Sequence, residues 1–415
     1  MTTEKQRIIK ISDLLHKAST QVSILRNIAW PNTVKEEFFN NNAQKLPSVS
    51  YPSYDPQPVL QQIKTVRELI GRADSTINAW ASRIANKIES SALLLSTRGS
   101  ADFFRHSNSL FGKPSDPLQN GSSTIIDLAC HFDHQFNGFQ HIDLGLPPQA
   151  TILATSMAGH IEQAVKSMFG DLAPEVVLDP SLTSNALAGR RRISIRPTAR
   201  FTDKNVDQLI HHEAYIHVAT SLNGHLQPHL KILGNGHAGT TTTQEGLAVF
   251  AEFITGSIDL DRISRLSDRV IAIQMAIDGA DFIDIYRFYL EKTNNRDQSF
   301  QNAKRVFRGG LLTGKAPFTK DIVYLEGLLN VHNFLREALN KGKLDHLDLL
   351  FCGKLDISDL PALKQLFEME LVAKSTFLPP WIRDKRFLLS YLSYASFLNK
   401  IDAEKSKAYY EAMFE

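Results

Sequence analysis

The sequence predicts an α+β fold that is mainly α: a small sheet beside a histidine-bearing helix, flanked by helical N- and C-terminal regions. Three observations carry this. Apolar residues recur at helical spacing at both ends of the chain, short β-branched segments bounded by Pro, Gly and Ser occur in the middle, and six of the 14 histidines fall between His211 and His237. With 43% hydrophobic and 22% charged residues, the 415-residue chain has globular composition, which excludes disorder and collagen-like or coiled-coil classes. Lys plus Arg number 46 against 44 for Asp plus Glu, a net charge of +2 without the basic footprint of a nucleic-acid binder. Cys130 and Cys352, far apart and outside any CxxC, exclude a disulfide framework and a cysteine-ligated zinc ribbon. The charged opening MTTEKQRIIKISDLLHKAST lacks a signal-peptide core, and no uncharged apolar run reaches the length of about 18 residues needed for a membrane span. The expectation is a cytoplasmic protein that engages neither membrane nor nucleic acid.

Residues 5–28 carry Ile8, Ile9, Ile11, Leu14 and Leu15 at helical spacing, and Pro31 stops that helix. LPSVSYPSYDPQP reads as an extended linker, and 57–95 as one long amphipathic scaffold helix through Val59, Ile63, Val66, Ile70, Ile77, Trp80, Ile84 and Ile88. GKPSDPLQNGSS at 112–123 is a loop, and 149–169 a helix ending at Gly170. PEVVLDPSL and RRRISIRPTARF are two or three strands. A helix over about 205–222, a Gly/His/Pro/Thr-rich loop and a QEGLA helix at about 243–256 follow, and 259–415 is helical with short turns. The implied division is an N-terminal helix and linker (1–50), a helical scaffold (51–145), a catalytic core (146–260) and a helical C-terminal region that contributes substrate-binding residues (261–415).

The informative segment is His212-Glu213-Ala-Tyr-Ile-His217. Two histidines on one helix face bind zinc, and a neighbouring glutamate supplies a base for its water. In HExxH the two histidines differ by roughly 40° around an α-helix, whereas the five-residue spacing here sets them roughly 140° apart. They converge on one ion only if the helix carries an extra residue as a π-bulge, so metal binding predicts a local distortion. Glu245 opens the next helix 28 residues after His217 and completes a His₂Glu set with the fourth position left for water. Glu213 would then take that water's proton. His225, His229 and His237 are rival third ligands that serve equally well as cleft or solvent-facing loop residues. His211 points elsewhere, as a support or a structural group. An isolated HExxxH also arises as an ordinary solvated helix face; the strand before it, the Gly-rich loop and the QEGLA helix after it argue for metal.

HHEAYIHVATSLNG followed by TTQEGLAVFAEF resembles the bacterial flavohaemoglobin expression-modulating QEGLA-motif proteins. These are similar to the animal microtubule-associated tyrosine carboxypeptidases, which pair HExxxH with a glutamate in a downstream EGLA segment. SLFGKP, VVLDPSLTSNALAGRRRISIR and the KRVFRGG…FTKDIVYLEG block extend the likeness over 100–330; it thins over the first 50 and last 80 residues. The resemblance implies a zincin-like metallopeptidase, with one Zn²⁺ per chain on His212, His217 and Glu245 and with Glu213 as catalytic base. In the animal enzymes the substrate is a protein C-terminal tail ending in tyrosine, notably that of α-tubulin. QEGLA here stands where some animal members have EEGLA, which spares the ligand and alters what surrounds it.

A carboxypeptidase must neutralise the substrate's terminal carboxylate, and Arg305, Arg308 and Lys320 are the candidates. Ordinary ion pairs, for instance with Asp321, are the alternative for the arginines. Tyr324 is placed either to donate to a tetrahedral oxyanion or to pack half-buried. RRISIRP reads as an edge strand that pairs with an extended peptide, Ile193 and Ile195 inward and Arg192, Ser194 and Arg196 outward, where the arginines attract an acidic tail or coat a solvated face. The aromatic segments around Phe103, Phe104, Leu110 and Phe111, and the C-terminal FLPPWIRDKRFLLSYLSYASFL, are core packing. Three classes follow: a zinc carboxypeptidase, a non-catalytic zinc-binding regulator, and a zinc hydrolase of a non-peptide amide. Glu213 favours catalysis, because a structural zinc site has no use for a carboxylate there.

Overall fold

The computed structural model describes residues 3–398, except 73, 120, 144, 146, 147, 181, 183 and 184, together with 407, 409–411 and 413. Among the described residues the chain is mainly helical, as the periodicity implies, with two small sheets where one was expected. β1 (Ile152–Leu153) pairs antiparallel with β5 (Arg200–Phe201). β2 (Glu175–Leu178), β3 (Ala186–Ala188) and β4 (Arg192–Ile195) form the second sheet in the order β2-β4-β3, with β2 parallel and β3 antiparallel to β4. The strands expected from PEVVLDPSL and RRRISIRPTARF are present, although Ser181 lies outside the described residues.

This order corrects the reading of RRISIRP. β4 is the central strand, so its ladder groups are taken by β2 and β3 and it offers no edge to a peptide. Ser194, expected to face outward, is buried between its ladder partners Val177 of β2 and Leu187 of β3, while Ile193 and Ile195 face the core. The edge beside the histidine helix is β3: the Ala188 N–H turns away from β4 and donates to Glu213 Oε2 at 3.2 Å.

Helix boundaries show where local chemistry overrode periodicity. The expected 57–95 helix is two, Gln57–Ile70 and Thr76–Ser96, broken at Gly71 (φ 69°), and Ser75 caps the second by accepting from the Asn78 N–H. The first helix ends at Thr20, well before Pro31, which instead precedes a further helix, Asn32–Asn40. The helix expected over 149–169 begins at Ala154, because Ile152 and Leu153 are spent in β1. A helix at Ile125–Gly138, started by a Thr124–Asp127 capping box, was not read from the sequence.

The packing that positions the site starts under the sheet. Helix Ala154–Phe169 offers Met157, Ile161, Val165 and Phe169, a buried stripe every four residues, to a core shared with Ile193, Ile195 and Phe201 and with Ala214, Val218 and Leu222 of the histidine helix. Each of the larger apolar side chains among these contributes roughly 1.5–3 kcal/mol by burial. A second core joins Ile8, Ile11 and Leu15 to Leu247 and Phe250 of the QEGLA helix and to Leu363, Leu366 and Trp381 near the C-terminus. Both ends of the chain therefore support the helix that carries Glu245. Among the described residues, no helix is long and apolar enough to cross a membrane.

Candidate metal centre

One continuous helix carries the histidines. It runs Asp203–Leu209, then Ile210–Val218 in π-helical winding, then Ala219–His225. The distortion that the five-residue spacing demands is thus present where it is demanded: an i→i+5 ladder stacks His212 over His217. Their rings meet edge to face with centroids 4.9 Å apart. Glu245 Oε2 lies 3.6 Å from both Nε2 atoms, and one ligand atom from each residue falls within 4.8 Å of the others. Ligands about 2.0–2.1 Å from a tetrahedral ion sit roughly 3.3–3.4 Å apart, so Glu245 is nearly at ligand spacing from either histidine and the three residues could hold a metal once drawn together. His212 is buried; His217 and Glu245 are partly exposed, as an open coordination position requires.

The QEGLA helix (Thr241–Ile254) delivers Glu245 through an unusually close crossing with helix Val323–Asn340. A Cβ on Gly246 would meet the Gly327 carbonyl oxygen at 2.3 Å, and one on Gly327 the Thr242 oxygen at 2.2 Å. Only glycine allows the two backbones to touch, and the contact brings Glu245 against the segment that precedes the second helix.

Behind the ligands lies a buried network that sequence reasoning missed. His212 Nδ1 donates to Glu252 Oε1 at 2.7 Å, and Glu252 also accepts from Gln208 (2.9 Å) and from two nitrogens of Arg262 (2.9 Å each). Burial opposes the Glu252 charge, but Arg262 and His212 together hold its carboxyl down to about 2. Burial also opposes a proton on His212, yet its hydrogen bonds to Glu245 and Glu252 raise it to about 10, so a metal must displace that proton to bind. Glu252 lies seven residues after Glu245, two turns along the same helix face; that spacing was the available signal. Glu252→Gln is expected to lower zinc affinity about 10- to 100-fold, because the ring it orients is freed. Competition against a chromophoric chelator measures this, and unchanged affinity would leave Glu252 a purely structural role.

The other sequence candidates sort clearly. None of His225, His229 and His237 joins the metal cluster. His225 and His229 are exposed, and His225 Nδ1 is bonded to the Ser221 carbonyl at 2.8 Å. His237 is held in its own turn, its Nδ1 accepting from the Gly239 N–H at 3.2 Å. His211 packs edge-on against Tyr215, off the ligand face. Arg196 donates to Asn185 at 2.6 Å, tying the start of β3 to the end of β4. Gln244, the first residue of QEGLA, cross-links the site through its Oε1, which accepts from Thr220 on the histidine helix (2.8 Å) and from Lys354 (2.9 Å). Burial pushes the Lys354 ammonium down to about 8. Nothing local in the sequence marked it.

The cations expected to read a carboxylate gather around Tyr324, with different commitments. Lys320 lies 3.4 Å from Glu245 Oε1, bracing the ligand from the side away from the histidines, and 4.9 Å from the Tyr324 ring centre. Arg305 donates in a short bond to buried Asp321, the ordinary ion pair weighed above. Arg308 lies over Phe318 at 5.6 Å, and Arg269, not anticipated from the sequence, over Tyr324 at 4.9 Å.

No curated protein matches the sequence. The family described as "Microtubule-associated tyrosine carboxypeptidase" matches residues 36–400, more of the chain than the 100–330 over which the motifs carry the likeness. With that match and a two-histidine, one-glutamate metal cluster in place, the chain belongs to the microtubule-associated tyrosine carboxypeptidase family, a family of metallopeptidases.

Proposed function

We propose that this protein is a zinc carboxypeptidase that removes a C-terminal residue, tyrosine or one like it, from a peptide or protein tail. The observation that carries the reading is the convergence of His212, His217 and Glu245 through a π-helical stretch, with Glu213 beside the first ligand. A zinc ion there would polarise the scissile carbonyl and acidify its water. Glu213 takes the proton from the attacking water and returns it to the leaving amine. The Ala188 N–H fixes the orientation of that carboxylate from the β3 edge. The same edge is the surface on which an extended tail can pair, the part first assigned to RRISIRP. Lys320 holds Glu245 ionised and aimed at the metal, and Tyr324, whose ring centre lies 4.9 Å from the Lys320 ammonium, is the side chain we assign to the developing oxyanion. The family's description names microtubules and tyrosine, so a tyrosine-ended protein tail is the substrate to try first.

The test is the metal content of chelator-treated, zinc-replenished protein beside a Glu245→Ala variant, followed by mass spectrometry of tyrosine-ended peptides. The expected result is about one zinc per chain, lost in the variant, and shortening of the peptides by one residue at the C-terminus. No bound zinc in the parent protein would sink the reading, as would cleavage only at internal bonds.

A further inference from the structure

The carboxypeptidase reading leaves two guanidinium groups, each stacked on an aromatic ring, without a carboxylate partner. Among the described residues, no carboxylate stands within ion-pair distance of Arg269 or Arg308, and the Nε of Arg308 is buried with no hydrogen-bond partner. Both side chains are half-buried, and withdrawing a cation from water without a counter-ion is costly, so a guanidinium held this way beside the metal centre suits an incoming anion. Burial and the neighbouring Arg305 push Arg308 down to about 10, and the carboxylate both arginines feel is Asp321, already bonded to Arg305.

The two arginines are held by the fold. Arg308 ends helix Arg296–Phe307; the Gly309 N–H behind it donates to the Tyr51 hydroxyl at 2.7 Å, and the Gly309 carbonyl accepts from Gly99 at 2.9 Å. Arg269 lies within helix Leu260–Asp278, against the Tyr324 ring. That ring also touches Lys320, which touches Glu245, so the arginines are continuous with the metal centre. The links are short: Lys320 is 3.4 Å from Glu245, and the Tyr324 ring centre is 4.9 Å from both the Lys320 ammonium and the Arg269 guanidinium.

We infer that Arg269 and Arg308, beside Tyr324, bind the α-carboxylate of the substrate's last residue, while Arg305 and Lys320, engaged with Asp321 and Glu245, position the site. This rests on the carboxypeptidase reading and assigns its exo-specificity to two named groups, one of which no sequence pattern singled out. Two guanidinium forks around one carboxylate give charge-assisted, directional bonds that an amide cannot replace.

The test uses zinc-loaded Glu213→Gln protein, which binds peptide without consuming it, and calorimetry with acetyl-Gly-Gly-Tyr and its C-terminal amide. The expected result is that the acid binds about 10- to 100-fold more tightly than the amide. Arg269→Met or Arg308→Met should erase that preference and leave amide binding, zinc stoichiometry and thermal midpoint unchanged, and Arg308→Lys should restore part of it. If neither peptide binds, the peptide-cleft reading falls and this assignment with it. If the acid is preferred and both variants keep the preference, the assignment alone falls. A third peptide, acetyl-Glu-Gly-Tyr-amide, covers the other source of a carboxylate. Tight binding of that peptide, lost in the same variants, would show that the arginines read an acidic side chain and would overturn the proposal.

Discussion

Glu213→Gln is expected to cut turnover of a tyrosine-ended peptide by about 10²- to 10⁴-fold while zinc remains bound at full occupancy. The substitution keeps the shape of the side chain and an oxygen that accepts from the Ala188 N–H, so the β3 edge stays in place. It removes only the capacity to take a proton. None of the three ligands changes, and the network behind His212 runs through Glu252, not Glu213. Metal analysis and steady-state kinetics on the same preparation separate the two effects. Turnover within tenfold of the parent would strip Glu213 of its role. Joint loss of zinc and activity would mean that Glu213 supports the helix rather than the reaction.

The second large effect comes from a residue that touches neither metal nor substrate. Gly246→Ala would place a methyl 2.3 Å from the Gly327 carbonyl oxygen, against backbone that no rotamer change can relieve. The QEGLA helix must then move away from helix Val323–Asn340. Overpacking of this kind costs about 1–3 kcal/mol, and a rigid backbone neighbour puts it at or above the top of that range. Glu245 is the adjacent residue, so the shift is transmitted to the ligand and away from Lys320. The expected outcome is a lower unfolding free energy together with weaker zinc binding. Gly159→Ala is the control: Gly159 lies in helix Ala154–Phe169 with open space around it, and alanine there should stabilise by about 0.5–1 kcal/mol. Equal stability of the two variants would show that the crossing is slack.

What the sequence disclosed about the site was what local spacing encodes. His212 and His217 were legible because five residues do not fit an α-helix, and the misfit itself forecast the π-helical winding. Glu245 was legible because it follows in an ordered loop-and-helix context that resembles a known family. The same reasoning failed where the answer depends on which segments meet in space. The chain order β2, β3, β4 does not reveal that β4 sits in the middle, so RRISIRP was given an edge it does not have. Glu252 lay on the ligand's own helix face and was there to be read. Arg262 and Lys354, however, reach the centre only through tertiary packing. Arg305 and Arg308 looked equivalent three residues apart; Asp321 separates them by claiming one. The break at Gly71 and Ser75 was written locally, in a glycine and a cap, and was masked by apolar periodicity that continues across it.

The π-helical stretch also sets the phase of everything before it. One residue inserted into a helix turns the upstream part by about 100° relative to the downstream part, and here the upstream part is anchored on its own account. Thr202 caps it in a box with Asn205, Val206, Leu209 and Ile210 pack on the core beneath the sheet, and Gln208 reaches Glu252. Deleting Tyr215 to create the shorter HExxH would therefore not yield a simpler version of the same centre. The two histidines would align on regular α-helix, but His212 would swing out of line with Glu252, or the apolar face of 203–210 would rotate off its core. Spacing, sheet anchor and supporting carboxylate share a single rotational setting, so the two motif lengths belong to scaffolds that cannot be interconverted one residue at a time.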